Sequence, residues 1–514
     1  MRNRKLVSRV ALAATLSALL LIPAAASAAD GPCYAPPSKP KVISHVQYSG
    51  MQSILYCYGP ITIRPGQNTI DTVASHLVPS VPGWITRFDP DLIYADKTKG
   101  THGVPSVDVL HLHHAVWAGM SESDPRWAAG EEKTVVQLPR GFGWRSEPSQ
   151  APYLNHMIHN LFPTTEHVYL TWRIDFIPDT SPDAATIRRV KAKWLDVASS
   201  PNGLPIFDAV RGAGSGGRYN FPEQATTTAQ RNQVGPYQYT AQSDMTLVSV
   251  AGHLHPGGLD TTLKVRRGSV TKTLFTSSAH YWEPAGAVSW DVAMGLSSAA
   301  WRVNVKRGDV LSVSAGYDVS KASWYDVMGI MPVAVAEGST PGAADPFTTK
   351  VPQAQVLTHG HLPENNNHGG GTVPHATNPS TLANGTPSAG ATLGISDFIY
   401  ALGDFSNTGV SQRPPTVTRG QTFTFRNNDY NAGMGKTYTF HTITACANPC
   451  NKETGIAYPR ANGAVEFDSG NLGFGTGTAQ RQSWSIPNNL NTGTYSYFCR
   501  VHPYMRGAFR VIAG

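Results

Sequence analysis

The 514 residues carry 41 lysines and arginines against 34 aspartates and glutamates, a formal charge of +7. Four of those cations, Arg2, Arg4, Lys5 and Arg9, sit at the extreme N-terminus, which leaves 37 against 34 and an excess of three over the rest of the chain. That excess is too small for a nucleic-acid surface, and no basic run with interleaved aromatics occurs. With 49 glycines, 38 prolines and many short Val/Thr/Phe/Tyr alternations, the composition predicts an all-β chain of roughly two to four domains, mainly β-sandwiches.

The first element is a secretory leader, residues 1–28. Its basic residues precede an apolar run from Val10 to Ile22 and the small-residue stretch Ala24 to Ala29, the pattern of a cleaved export signal. Cleavage after Ala28 satisfies the Ala-Ser-Ala rule, and the apolar run is shorter than the roughly 20 residues a membrane-spanning helix needs. The expectation is a secreted or periplasmic protein with no stable membrane insertion after cleavage. Arg2 and Arg4 are not adjacent, so a twin-arginine signal is not indicated and export unfolded is the simpler route.

Five cysteines follow. Cys33 and Cys57 bracket an N-terminal segment, 29–57, and Cys446 and Cys450 flank the turn dipeptide Asn448-Pro449. Both pairs are expected to form disulfides in an oxidising compartment. Cys499 is left over.

Next come histidines in small groups with metal-ligand spacing. His111-Leu112-His113-His114 is the first, and on a regular strand His113 and His114 point to opposite faces, so they share a metal only if a bulge turns one inward. Tyr153 to His159, with His156 and His159, is the second. The loose stretch Ser199 to Gly217 divides 58–205 from 206–338. In the later half, His253-Leu254-His255 puts two imidazoles on one strand face, and Tyr325-Asp326-Val327-Met328 follows. Residues 339–392, rich in Gly, Pro, Asn and Thr, cannot bury enough apolar surface to order themselves and read as a linker. Its His359, His361, His368 and His375 either bind metal or pack between domains.

From 393 to 514 the sequence alternates as strands do, at Thr422–Phe425, Tyr438–Ile443, Gly493–Cys499 and Ala508–Ile512. A strand end and the loop after it hold Cys499-Arg500-Val501-His502-Pro503-Tyr504-Met505, which brings together a soft thiolate, an imidazole and a weak thioether. His441, at the end of another strand, supplies the second imidazole that a trigonal His2Cys site with an axial Met requires, a set suited to copper cycling between two oxidation states. This stretch resembles the cupredoxins, and its Cys-x-x-His-x-x-Met spacing is similar to that of amicyanin and pseudoazurin. The resemblance implies a Greek-key β-sandwich with one type 1 copper on His441, Cys499, His502 and Met505, serving one-electron transfer to a redox partner protein or small reductant. Phe498 and Arg500 flank Cys499 where the multicopper oxidases place a histidine, so no multicopper cluster is indicated.

The upstream groups, in their order, resemble the copper type II, ascorbate-dependent monooxygenases, the family of peptidylglycine α-hydroxylating and dopamine β-monooxygenase, over about 96–335. Leu138-Pro139-Arg140-Gly141-Phe142-Gly143-Trp144 is similar to a Leu-Pro-x-Gly-x-Gly-aromatic stretch of that family. The resemblance implies two tandem β-sandwiches and two type 2 coppers, one on His113, His114 and His159 and one on His253, His255 and Met328. The Met-bearing copper would be the catalytic one, activating O2 for hydroxylation of a small molecule. Ala251 stands where the peptide-hydroxylating members have an arginine, and Ile330 and Pro332 where they have asparagine and tyrosine, so a peptide carboxylate is not the expected anchor. The type 1 copper is expected to relay electrons into this pair. The competing class is a non-enzymatic copper carrier or electron-transfer protein. A lytic polysaccharide monooxygenase is disfavoured, because the new terminus is Ala29 or Asp30 rather than histidine. No nucleotide-binding glycine loop or nucleophile elbow is found.

Overall fold

The computed structural model describes Cys33 and residues 46–64, 67, 70–99, 103–105, 107, 109–119, 125–160, 164–198, 206–209, 212–225, 238–281, 292–320, 324–358, 379–396, 398–404, 413–431, 437–438, 441–445, 467–470, 472–473, 481–499 and 505–514. The leader, the Cys446–Cys450 pair, His502 and the linker histidines His359, His361, His368 and His375 lie outside the described residues.

The protein is all-β, as composition predicts. Among the described residues the only helical turns are the short 3-10 segments Ala184–Thr186 and Pro379–Thr381. An eleven-stranded sheet forms the centre, running in order through Gln52–Ile63, Glu166–Pro178, Gly83–Tyr94, Phe142–Ser146, Arg188–Asp196, Trp324–Glu337, Met245–Val250 and Val303–Val305, with three shorter strands beside this path. Arg188–Asp196 pairs antiparallel with Trp324–Glu337, from Val190 opposite Ala336 to Asp196 opposite Ile330. The expected halves 58–205 and 206–338 are therefore joined by one sheet across the loose 199–217 stretch.

Each half closes a core against this sheet. A four-stranded sheet of Ile70–Ala74, Tyr153–Asn160, Leu110–Ala118 and Trp127–Ala129 covers one side. Its core includes Phe88, Trp117, Trp127, Trp144 and Trp172. A seven-stranded sheet containing Gly258–Arg267, Val270–Tyr281 and Val310–Asp318 covers the other, around Phe207, Tyr219, Phe221, Trp301 and Tyr317. Binary pattern explains the local choices. In Leu110–Ala118, Ala115 and Trp117 face the core while Val116 and Ala118 are half-exposed, the period of two that makes a strand. From Leu110 to His113 the same strand is buried on both faces, so its histidines sit inside the molecule.

The C-terminal unit contains two four-stranded sheets, one with Thr392–Ser396, Ile399–Tyr400, Thr424–Asn427 and Ser483–Ser485, the other with Thr416–Thr418, Thr444–Ala445, Gly493–Phe498 and Arg506–Ile512, and a two-stranded pair of Tyr430–Asn431 with Thr437–Tyr438. Its own core contains Phe423, Phe425, Tyr497, Cys499, Met505 and Phe509. Phe498 turns the other way and packs into the core of the later upstream half. At the N-terminus Cys33 and Cys57 form the expected disulfide, with Cα atoms 6.0 Å apart.

Trp117 is fully buried, edge-on to Phe88 at 4.8 Å and to Trp172 at 5.4 Å. Replacing a buried indole by a methyl removes its transfer energy and leaves a cavity, so Trp117→Ala is expected to cost about 3–5 kcal/mol. Urea unfolding followed by far-ultraviolet circular dichroism measures this as a lowered midpoint.

Candidate metal centres

The C-terminal centre is set by two strands and an isolated backbone bridge. Cys499 follows Gly493–Phe498 and Met505 precedes Arg506–Ile512, and the Cys499 amide donates to the Met505 carbonyl at 3.1 Å, closing the base of the loop between them. His441 exchanges backbone bonds with Leu472, at 3.2 and 2.8 Å. His441, Cys499 and Met505 are all fully buried, 0% exposed. The His441 Nδ1 lies 3.7 Å from the Cys499 Sγ, and the Thr442 amide donates to the same sulfur at 3.3 Å. On the far side of the ring, His441 Nε2 bonds Asp429 Oδ2 at 2.7 Å. Asp429 is itself held by its amide, which donates to Asn427 Oδ1 at 2.9 Å. A carboxylate behind an imidazole fixes the ring's orientation and tautomer, so Nδ1 is left facing the sulfur. Burial pushes the His441 pKa down, but its bonds to Asp429 and Cys499 outweigh that and raise it to about 9. Sequence reasoning did not find Asp429, because an aspartate twelve residues upstream has no motif spacing. Cys499 is buried and stands outside the Cys33–Cys57 disulfide. A thiol held against an imidazole Nδ1, away from water, fits a thiophilic metal.

Upstream, the bulge required by the sequence is present. Leu110–Ala118 pairs with Tyr153–Asn160 in a register that puts Leu110 opposite Asn160, His111 opposite His159 and Leu112 opposite Ile158, then skips to His114 opposite Met157. His113 is the extra residue. The bulge brings two neighbouring imidazoles together, with Nδ1 atoms 3.3 Å apart.

Its stability comes from a buried charge group. The Leu112 amide, at the edge of the bulge, donates to Glu131 Oε2 at 2.7 Å. Glu131 is 3.0 Å from Lys133 Nζ, which also lies 3.6 Å from Asp91. Glu131 and Lys133 are each 1% exposed. Removing one partner of such a buried pair costs about 3–5 kcal/mol, because the other charge is stranded. Burial raises the Asp91 pKa to about 7 despite the opposing pull of Lys133.

The adjacent residue reaches the other half. Glu132 places both carboxylate oxygens 3.1–3.2 Å from His253 Nδ1. A β-carbon on Gly130 would lie 2.6 Å from both Glu132 Oε2 and His253 Cε1, so only glycine fits there. His253 belongs to the short strand His253–Leu254, opposite Ile330 and Gly329. The His255 amide donates to the Tyr317 hydroxyl at 3.1 Å, and that hydroxyl donates to the Met328 carbonyl at 2.6 Å. This ties together the two segments that carry His255 and Met328.

The two expected sets do not stand apart. Ring centroids are separated by 4.8 Å for His111 and His159, 4.5 Å for His113 and His159, 4.7 Å for His113 and His255, and 5.4 Å for His253 and His255. His114 turns aside, its Nε2 2.9 Å from Asn155 Oδ1. His113 touches three of the other rings, and His111, absent from the expected ligand sets, is fully buried against His159. As the side chains stand, no three His, Cys, Asp or Glu among the described residues surround one point as metal ligands would. The donor chemistry nonetheless fits a borderline metal such as copper, since burial above all holds His111, His113, His114 and His159 neutral, helped by Lys133 at His111 and by neighbouring imidazoles at the others. His111 falls to about 3 and His114 to about 4 by burial, and His113 and His159 fall well below the usual range. Glu132 moves the opposite way from what burial alone would do, lowered by His253.

Against this cluster opens a cavity of about 420 Å³, touched by His114, Glu132, Asn155, His253 and Met328. Phe88, Trp127, Trp144 and Trp194 form much of the rest of its wall, and Ala251, Ile330 and Pro332, the departures from the monooxygenase pattern, line it too.

No protein-family profile matches the chain, and no curated protein matches it. Among solved structures it is similar to the Cu(I) form of an amicyanin mutant at 18% identity and a TM-score of 0.15, covering 28% of this chain and 99% of that one. It is also similar to the copper-containing nitrite reductase of Thermus scotoductus at 13% identity and a TM-score of 0.14, covering 53% of this chain and 59% of that one. The VP2 subviral particle of infectious bursal disease virus matches at 11% identity and a TM-score of 0.17, covering 64% and 81%. Scores this low are too slight to assign an architecture, and the all-β class rests on the sheets themselves.

The neutral histidines give the metal-free protein a defined acid response. Their folded pKa values lie below the unfolded 6.5, so the unfolded chain binds more protons than the folded one between about pH 6.5 and 4. The histidine contribution to stability is therefore expected to fall as pH drops through that window, while Asp89, Asp91 and Asp196, raised by burial to about 6, 7 and 6, act in the opposite sense. The histidine part is read by difference: from pH 7 to pH 4.5 the urea midpoint of His114→Gln should fall less, or rise more, than that of the parent.

Proposed function

We propose that the chain is an extracytoplasmic copper protein whose C-terminal unit, 393–514, transfers single electrons through a type 1 copper held by His441, Cys499, His502 and Met505. The observation that carries this reading is the 3.7 Å approach of His441 Nδ1 to Cys499 Sγ in a fully buried pocket. When bound, copper supplies the one-electron couple; the chain supplies the ligand geometry and the exclusion of water. Asp429 holds the His441 ring, the Thr442 amide donates to the sulfur and limits its charge, and the Cys499–Met505 backbone bond limits how far the ligand loop can spread. Each restrains rearrangement between oxidation states. The Cys33–Cys57 disulfide supports an oxidising compartment, in keeping with the leader.

For the upstream module we propose a copper monooxygenase-like activity, the O2-dependent hydroxylation of a small substrate. The observation that favours it is the aromatic-walled cavity touching His114, His253 and Met328. A mainly apolar, open-mouthed site with a small set of polar groups on one wall suits a small organic ligand. Phe498, beside Cys499, packs into the later upstream core, and this contact supports a relay of electrons from the type 1 copper to the upstream ligands. The alternative is a copper carrier or electron-transfer protein without catalysis.

Full-length protein loaded with copper is expected to show an intense blue thiolate absorption that Cys499→Ser abolishes. Asp429→Asn should keep the colour and weaken copper binding by about 10–100-fold. Copper uptake with no thiolate band would sink the type 1 assignment. For the upstream module, an oxygen electrode should record O2 uptake that depends on both a reductant and an apolar substrate. Uptake indifferent to every apolar substrate tried leaves the carrier reading.

A further inference from the structure

We propose that His111, His113, His159 and His255 form one metal site of four imidazoles, taking a first-row divalent cation of the copper and zinc class, and that His114 belongs instead with His253 and Met328 at the cavity. This rests on the reading that the upstream histidines bind metal, and it regroups them.

The grouping follows from register. His111 and His159 are direct cross-strand partners on adjacent strands, with ring centroids 4.8 Å apart. The bulge at His113 breaks the alternation that would send that side chain to a separate face, and its ring comes to 4.5 Å from His159. His255 arrives from the other half at 4.7 Å from His113. All four are buried. Two imidazoles bound to one cation at about 2.0–2.1 Å have ring centroids roughly 5 Å apart, so each of these contacts is near the separation a shared metal imposes. The nitrogens do not meet at a common point as the rings stand, so the site requires the side chains to turn when the cation binds.

His114 has other engagements. Its Nε2 meets Asn155, whose Nδ2 donates to Thr72 Oγ1 at 2.7 Å, and it faces the cavity with His253 and Met328. Neutral imidazoles suit zinc, copper and nickel over magnesium or calcium, which take oxygen donors. The nearest carboxylates do not compete: Glu131 is engaged with Lys133 and the Leu112 amide, and Glu132 with His253. A cation here would bridge His111, His113 and His159 of one half to His255 of the other.

The test uses the full-length chain and Cu(II) alone as probe. Copper is counted by mass spectrometry, the paramagnetic resonance spectrum is recorded, and melting is followed with and without metal. His111→Gln is expected to hold one copper fewer than the parent, keep the blue band and melt with the parent when both are metal-free. His114→Gln should retain a signal split by four nitrogens. If His111→Gln keeps the parent's copper content and spectrum, the grouping is overturned while upstream copper binding stands. Loss of the four-nitrogen signal in His114→Gln also overturns it. A parent that binds the blue copper alone overturns both the grouping and the reading beneath it. If His111→Gln fails to fold, the parent's own hyperfine pattern decides, four nitrogens supporting the site and three or fewer overturning it.

Discussion

A lysine ammonium enclosed with two carboxylates sets the geometry on which the upstream module depends. Lys133, almost inaccessible to water, neutralises Glu131 and Asp91, and that neutralisation lets Glu131 spend its other oxygen on the Leu112 amide. The register slip at His113 is thereby held open from the side, and two imidazoles that a regular strand would separate are kept together. Glu132, next in the chain, orients His253. One turn thus positions histidines from both halves. A surface ion pair could not do this, since its energy is small and its geometry loose; burial makes the arrangement all or none.

The C-terminal centre is built on the same logic with fewer parts. A backbone bond ties Cys499 to Met505, one carboxylate orients one imidazole, and one amide addresses the sulfur. In both places the groups that touch a ligand's far side are acidic residues with no metal-binding spacing of their own.

That difference explains what the sequence disclosed. Strand alternation made the all-β class and strands such as Gly493–Phe498 readable, because period two is local. Cys499, Met505 and His441 were legible because a thiolate, a thioether and imidazoles at those positions have few other uses. The need for a bulge at His113-His114 was legible as a condition, from side-chain direction alone. Asp429, Glu131, Glu132 and Lys133 were not, because their roles depend on burial, and nothing in Gly130-Glu131-Glu132-Lys133 announces a lysine shut away from water. The pairing of Arg188–Asp196 with Trp324–Glu337 was hidden for a related reason: a loose, glycine-rich stretch marks where the chain is irregular and says nothing about which distant strands join beyond it. His111 belongs to the visible run His111-Leu112-His113-His114, but the monooxygenase resemblance assigns only two of its three histidines.

The hydroxyl of Tyr317 accepts from one ligand-bearing segment and donates to the other. A phenol is one of the few side chains that can do both at that reach, and its ring stays anchored in the surrounding core. Beyond the pairing of His253 and Leu254 with Ile330 and Gly329, the separation between the His255 and Met328 main chains is gauged by a single oxygen atom, like a spacer between two rails. Loss of that atom would leave the His255 amide and the Met328 carbonyl without the partner each was folded against. The rails would then keep their spacing only through the strand pairing beside them, with His255 and Met328 still in the sequence.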